Sequence, residues 1–221
     1  MIRVIRVLVA DDHTIVREGL KQILAKHDDI AVAGEAANGN DVLRMVREQA
    51  WDVLVTDMSM PGRSGIELIK LVKEARPKLP VLVLSMYGED QYAVRAIRAG
   101  ASGYLNKESA TEQLVTAIRK VASGGVHVSA AVAEAMFHSL RGDTAATPHE
   151  HLSDREFQVL RLIAMGKSTT EIAGELVLSP KTVSTHKSRI LEKMRMSNQA
   201  ELIRYAIEHK LVDAPRAPGG D

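Results

Sequence analysis

Short unbroken apolar runs alternate with longer amphipathic stretches through the first 124 residues of the chain. Three of the runs, Ile5–Ala10, 53–56 and 81–84, are nearly continuous Val, Leu and Ile, the pattern of parallel strands buried on both faces. Shorter runs at 31–35 and 103–105 bring the predicted strands to five. Between them, apolar residues recur three and four positions apart, which predicts helices. The stretch 14–26 sets Ile15, Leu20, Ile23 and Leu24 on one side, and Gly65–Ala75 does the same with Ile66, Ile69 and Val72. Segments 41–49, 91–99 and 111–123 complete five strand–helix units. Short connections between such units predict a doubly wound parallel sheet of the α/β class, and this length fits a five-stranded order.

The pattern changes after Gly124-Gly125. A short helix is predicted over 130–140, with Val132, Ala135, Met136 and Leu140 on one face. Residues 141–148 have no apolar period and read as a flexible linker. From Leu152 onward the period is helical throughout. Ser153 with Glu156 three residues later forms a capping box opening a helix with Phe157, Leu160, Ile163 and Ala164 inward. A short helix over 168–176 follows. Ser179-Pro180 then starts a helix running to about Met194, and 198–210 forms the fourth. The expected division is a first domain over 1–124, a linker over 125–150, a small all-α four-helix domain over 151–213 and a disordered tail over 214–221.

Composition narrows the class without naming an activity. With 45% apolar and 26% charged residues the chain reads as globular. Its 221 residues carry a formal net charge of only +1, so a polyanionic partner would need a local patch. The absence of cysteine removes disulfides, thiolate metal sites and thiol nucleophiles. No apolar run approaches the roughly 20 residues that span a bilayer, and Asp11-Asp12 interrupts the first run, so that run reads as a strand rather than a leader. No membrane association and a cytoplasmic location are expected.

Candidate chemistry collects at the predicted strand ends. The first run delivers Asp11 and Asp12, the third Asp57, the fourth Ser85 and the fifth Lys107. Three carboxylates, a hydroxyl and an ammonium can together hold a divalent cation and a phosphoryl group. An Asp after a strand is ordinarily a turn or cap residue. All four groups at successive strand ends are much harder to assign to chance.

These residues make 4–124 resemble a response-regulator receiver domain: an acidic pair, an Asp before Met58-Ser59-Met60-Pro61-Gly62, a Ser and a Lys. The resemblance implies the flavodoxin-like strand order and phosphorylation of Asp57 by a sensor histidine kinase. It implies Mg2+ held by Asp12, Asp57, the Ser59 carbonyl and, through water, Asp11. Ser85 would move toward the phosphoryl group and Tyr104 would rotate inward behind it. Glu108 stands where many receivers carry Pro.

The C-terminal stretch has a pattern of its own. Over 179–195 five basic residues (Lys181, Lys187, Arg189, Lys193 and Arg195) face one acidic residue, Glu192, and concentrated charge of that kind suits phosphate contacts. Leu152-Ser153, Arg155-Glu156, Gly166-Lys167-Ser168, Glu171-Ile172-Ala173 and Lys181-Thr182-Val183-Ser184-Thr185-His186 resemble the LuxR-type helix-turn-helix of the NarL/FixJ class of response regulators. Its candidate DNA contacts are Lys181, Thr182, Ser184, Thr185, Lys187, Ser188 and Arg189. Val183, Ile190, Leu191 and Met194 fit a buried stripe, and His186 suits either a base contact or packing. Leu202, Ile203 and Ala206 on the last helix are candidates for a dimer contact or for core packing.

The resulting reading is a phosphorylation-dependent DNA-binding transcription regulator. It would bind double-stranded DNA with two half-sites and form a homodimer when phosphorylated or DNA-bound. It is not an enzyme in the ordinary sense, because it would accept a phosphoryl group and lose it slowly. Two alternatives remain at the level of sequence. One is a DNA-binding protein whose receiver is controlled by a partner without phosphorylation. The other is a Mg2+-dependent phosphatase, against which Ser59 stands where a second acidic residue would be needed.

Overall fold

The computed structural model describes residues 4–60, 63, 65–85, 90–107, 110–141, 147–209 and 211–212. The Pro61-Gly62 turn, Glu108, linker residues 142–146 and the tail 214–221 lie outside them. Two compact units divide the chain, Met1–Phe137 and His138–Asp221.

In the first unit five parallel strands, β1 (Ile5–Ala10), β2 (Ile30–Ala36), β3 (Val53–Asp57), β4 (Val81–Ser85) and β5 (Gly103–Asn106), form one sheet in the order β2-β1-β3-β4-β5. Helices α1 (Thr14–Leu24), α2 (Gly39–Glu48), α3 (Gly65–Ala75), α4 (Asp90–Arg98) and α5 (Ala110–Ala122) connect and follow the strands. β3 and β4 are buried at every position, which explains why their sequences show no polar alternation. Val7, Val9, Val55 and Leu84 pack with Leu114 and Ile118 of α5 in one core cluster.

The sheet also positions what lies beyond its ends. Ala10 pairs with Thr56, Asp57 with Leu84, and Ser85 with Asn106. The ladder then runs one residue further. The Asp11 N–H donates to the Ala36 carbonyl at 3.1 Å, Met58 to Leu84 at 3.1 Å and Lys107 to Ser85 at 2.8 Å. Backbone bonding therefore draws Asp11, Asp57, Ser85 and Lys107 to one edge before any side chain interacts.

Two expectations need correction. Ile15 does not join the inner face of α1: it is 83% exposed, whereas Leu20 and Leu24 are buried. At 3.6 residues per turn Ile15 lies roughly 140° around the helix from Leu20. The first unit also runs past 124. His127 bridges to Gly103, its carbonyl accepting from Tyr104 N at 2.9 Å and its N–H donating to the Ser102 carbonyl at 2.9 Å. The start of the expected linker is thus tied to the sheet edge. Gly103 is required there, because a Cβ would come within 2.8 Å of Leu82 and 2.9 Å of the His127 carbonyl. The short helix predicted over 130–140 is α6 (Ala130–Arg141), and the division between the units falls inside it.

The second unit contains a 3₁₀ turn (Pro148–His151) followed by α7 (Asp154–Ala164), α8 (Thr169–Glu175), α9 (Pro180–Met194) and α10 (Gln199–Glu208). Ser153/Glu156 and Ser168/Glu171 are both complete capping boxes, and Ser179 and Asn198 cap α9 and α10. Leu202 and Ala206 are wholly buried in this unit. Core packing therefore takes two of the three dimer candidates and leaves Ile203 partly exposed.

The corrected register of α1 is measurable. Leu24→Ala is expected to cost about 2–5 kcal/mol in urea unfolding, whereas Ile15→Ala stays within about 0.5 kcal/mol of wild type.

Candidate functional site

At the carboxyl edge of the sheet, Asp11, Asp57 and Ser85 are all buried. Lys107 reaches across the edge. Its Nζ donates to Asp11 Oδ2 at 2.6 Å and lies 3.0 Å from Asp57 Oδ1, which also accepts from Met58 N at 2.8 Å. Burial pushes the Asp57 carboxyl above its ordinary range; Lys107 pulls it back only in part, and the negative charge of Asp11 adds to the rise. Burial alone would lower Lys107, but its hydrogen bonds to Asp11 and Asp57 outweigh that and hold the ammonium above its usual value. The result is a charged lysine between two buried carboxylates, where burial works against the ionised form of Asp57 and Lys107 supports it.

Asp12 sits at the rim. Its Oδ1 is buried without a hydrogen-bond partner among the described residues, but His13 Nδ1 stands 3.0 Å away as an ion-pair contact and hydrogen-bonds Asp11 Oδ1 at 3.3 Å. Asp11, Asp12 and His13 offer ligand atoms that all lie within 4.8 Å of one another. An acidic pair with one oxygen that makes no hydrogen bond fits a divalent cation. Asp57 is outside this triplet, and Lys107 joins it to Asp11. Ser59 is exposed at the end of the short segment that follows Asp57. The sequence pattern did not single out His13, because one imidazole after an acidic pair has no periodic or spacing signal.

Tyr104, expected to rotate inward on phosphorylation, is already buried here. β5 fixes its backbone from both sides, with Val83 as its register partner on β4 and His127 on the outer edge.

In the second unit α8 and α9 form two helices joined by a tight turn, with α9 presenting one face to solvent. Val177 adopts φ 53° in that turn, a conformation that a β-branched residue rarely takes. Arg155 of α7 holds the turn by donating to the Leu176 carbonyl at 2.6 Å.

The structure sorts the basic residues of α9. Lys193 pairs with Glu156 Oε2 at 2.7 Å, and Lys187 donates to Gln199 Oε1 at 2.6 Å. Both tie α9 to its neighbours. Lys181 and Arg189 are exposed, with no ion pair among the described residues. The hydroxyls of Ser184, Thr185 and Ser188 donate to carbonyls four residues back, at 3.0, 3.0 and 3.2 Å. Thr182 Oγ1 lies 2.8 Å from the capping Ser179 hydroxyl. A phosphate contact from these hydroxyls would therefore require them to leave the helix backbone. His186 is held below its ordinary value, first by burial and then by Arg155, and its Nδ1 is buried with no hydrogen-bond partner among the described residues.

His149 is a second residue that the sequence pattern did not reveal. It is fully buried, its Nδ1 is 2.7 Å from the Tyr205 hydroxyl, and its ring lies 6.1 Å from Phe157. The 3₁₀ turn is thereby anchored to α7 and α10. Among the described residues no helix is long and apolar enough to cross a membrane.

Comparison with known proteins agrees with both halves of this geometry. A family model for the response regulator receiver domain matches residues 7–119, and one for bacterial regulatory proteins of the luxR family matches 150–206. The chain is 37% identical over 211 residues to the response regulator GacA of Pseudomonas aeruginosa, covering 95% of this chain and 99% of that protein. It is 35% identical over 215 residues to the oxygen regulatory protein NreC of Staphylococcus carnosus, covering 94% and 99%. A structure of the response regulator RcsB from Salmonella typhimurium aligns with a TM-score of 0.66 at 31% identity, over 92% of this chain and 96% of that one. An RcsB–DNA complex aligns with a TM-score of 0.58 at 30% identity, over 92% and 98%.

Glu156 provides a pH test of how α9 is held. Burial acts to raise its carboxyl, but hydrogen bonds from Lys193 and Ser153 outweigh that and keep it below its ordinary 4.5. A carboxyl lowered on folding adds stability above its unfolded value and loses it as pH falls through the folded one. Glu156→Gln is therefore expected to weaken the second unit by about 1 kcal/mol at neutral pH. In urea titrations the gap to wild type should close as pH falls below 4.5.

Proposed function

The chain belongs to the DNA-binding response regulators, pairing a receiver domain with a LuxR-type helix-turn-helix, and from that premise we propose that Asp57 is its phosphoryl acceptor and α9 its DNA-reading helix. The observation that carries the reading is Lys107 Nζ lying 2.6 Å from Asp11 Oδ2 and 3.0 Å from Asp57 Oδ1, in a chain that continues into α9. The donor is the phosphohistidine of a sensor kinase. An Asp57 oxygen attacks the phosphorus, the P–N bond of the donor breaks, and an acyl phosphate remains.

Asp12, Asp57, the Ser59 carbonyl and, through water, Asp11 would hold Mg2+. When bound, that ion neutralises phosphoryl oxygens that three carboxylates would otherwise repel. Lys107 releases its bond to Asp57 and takes up a phosphoryl oxygen, keeping a charge-assisted hydrogen bond throughout. The Ser85 hydroxyl donates to another phosphoryl oxygen and draws β4 toward the site. With Tyr104 already packed inward, Ser85 carries the signal into β4. Slow hydrolysis of the acyl phosphate resets the protein, which works in the cytoplasm.

On the DNA side Lys181 and Arg189 meet phosphates first. Thr182, Ser184, Thr185, Lys187 and Ser188 join as their intrahelical or interhelical bonds open. Two copies would bind two half-sites, with Ile203 of α10 on the outer face.

With acetyl phosphate and Mg2+ the wild-type chain should acquire one hydroxylamine-labile phosphoryl group, mapped to Asp57 by peptide mass analysis. Asp57→Ala should acquire none. Labelling that persists in Asp57→Ala sinks the assignment. For α9, Arg189→Ala should weaken binding to all duplexes alike and lower the salt slope of log K by about 1; a sequence-dependent loss would make Arg189 a base contact instead.

A further inference from the structure

We infer that Arg17 is a positioning residue for the proposed phosphorylation site: its guanidinium grips the peptide joining Asp11 to Asp12, and through it sets how tightly the acidic pair takes up a cation. The inference rests on the receiver reading above. It concerns a side chain that bonds neither carboxylate of the pair.

Arg17 lies one turn into α1, and its side chain is only 14% exposed. All three guanidinium nitrogens have partners, and the partners lie on three segments. Nη1 donates to the Asp11 carbonyl at the end of β1, at 2.7 Å. Nε donates to Glu35 Oε2 near the end of β2, at 3.3 Å, and Nη2 to the Thr14 hydroxyl at the start of α1, also at 3.3 Å. One buried cation thus ties two strand ends to the helix that follows them.

The carbonyl it grips is the one between the two acids. Because a peptide unit is planar, fixing the Asp11 oxygen fixes the Asp12 nitrogen and the point from which the Asp12 side chain departs. On the other side of Asp11 its N–H donates to the Ala36 carbonyl at 3.1 Å. Both peptides flanking Asp11 are therefore held, one by the sheet and one by Arg17.

A guanidinium this close to two carboxylates would compete with a cation if it bonded them. The Asp11 oxygens are taken instead by Lys107 Nζ and by the His13 backbone N–H. The charge of Arg17 is met by Glu35, which also pairs with Lys21 at 2.7 Å. Hydrogen bonds from Lys21 first, and from Arg17 behind it, keep the Glu35 carboxyl below its ordinary range. Arg17 therefore orients the acidic pair while its own charge is balanced elsewhere, and Glu35 is the anchor that allows this.

The test titrates Mg2+ alone into the unphosphorylated full chain by calorimetry, and in parallel follows acetyl phosphate labelling of Asp57 as a function of Mg2+. Removing a group that orients metal ligands typically costs 10–100-fold in affinity, so Arg17→Ala should weaken Mg2+ binding by about tenfold or more. Its labelling rate should recover toward wild type at saturating Mg2+. Arg17→Lys should regain part of the affinity, because an ammonium can bond the carbonyl but lacks the planar fork that spans the other partners. Glu35→Gln should shift Mg2+ binding in the same direction by less. Leu24→Ala, which loosens the same helix from its core side, should leave Mg2+ binding unchanged.

Wild-type Mg2+ affinity in Arg17→Ala, or an equal loss in Leu24→Ala, overturns the inference. Should Arg17→Ala fail to fold, wild-type affinity in both Arg17→Lys and Glu35→Gln overturns it. A wild type that takes up no phosphoryl group with Mg2+ overturns the receiver reading itself. Normal labelling of the wild type with unshifted variants overturns only the role of Arg17.

Discussion

The charge balance between Lys107 and two buried carboxylates organises the site. The parallel ladder forces Asp11 and Asp57 to the same sheet edge, because adjacent strands end there and backbone hydrogen bonds run one residue past them. Buried carboxylates held that close disfavour joint ionisation unless a cation stands between them. Lys107 supplies that cation from 96 residues away in sequence. Its ammonium can reach both oxygens only because β5 pairs with β4 in the register that sets Ser85 opposite Asn106. Fold and chemistry are therefore one constraint. On the proposed function, an added phosphoryl group would act as a switch by changing what Lys107 bonds to.

The second unit follows a similar economy. If α9 is to read DNA as proposed, it must be held rigidly while leaving cations free. In α9 the two tasks fall to different residues: Lys193 and Lys187 face inward to Glu156 and Gln199, and Lys181 and Arg189 face solvent. Glu156 also closes the capping box of α7, so one buried carboxylate fixes the start of α7 and the end of α9. His149 adds an anchor ahead of α7 by bonding Tyr205 of α10.

Much of this was legible in the residues. The unbroken apolar runs located four of the strand-end groups, and the resemblance assigned their roles, because burial on both faces leaves little freedom in where a parallel strand stops. The Ser153/Glu156 and Ser179-Pro180 caps located α7 and α9. What escaped was decided by tertiary contact. Ile15 fits the apolar count of α1 but lies around the helix from the residues that meet the sheet. Leu202 and Ala206 read equally well as core or interface until the packing of α10 buried them. His127 forms a strand-edge bridge in a stretch that local sequence marks as linker. Lys193 looked like one of five equivalent cations, and only its 2.7 Å contact with Glu156 removes it from that group. His13 and His149 carry no periodic signal at all.

The central claim is that the strand-end site controls what α9 binds. The most direct measurement is the affinity of the full chain for a duplex selected from a random library, at one fixed salt concentration, before and after acyl phosphorylation. Coupling of the usual size for allosteric proteins would tighten binding by about 5–150-fold, and the gain should vanish in Asp57→Ala. Equal affinity in the two states would contradict the account and leave two competent domains without a switch between them.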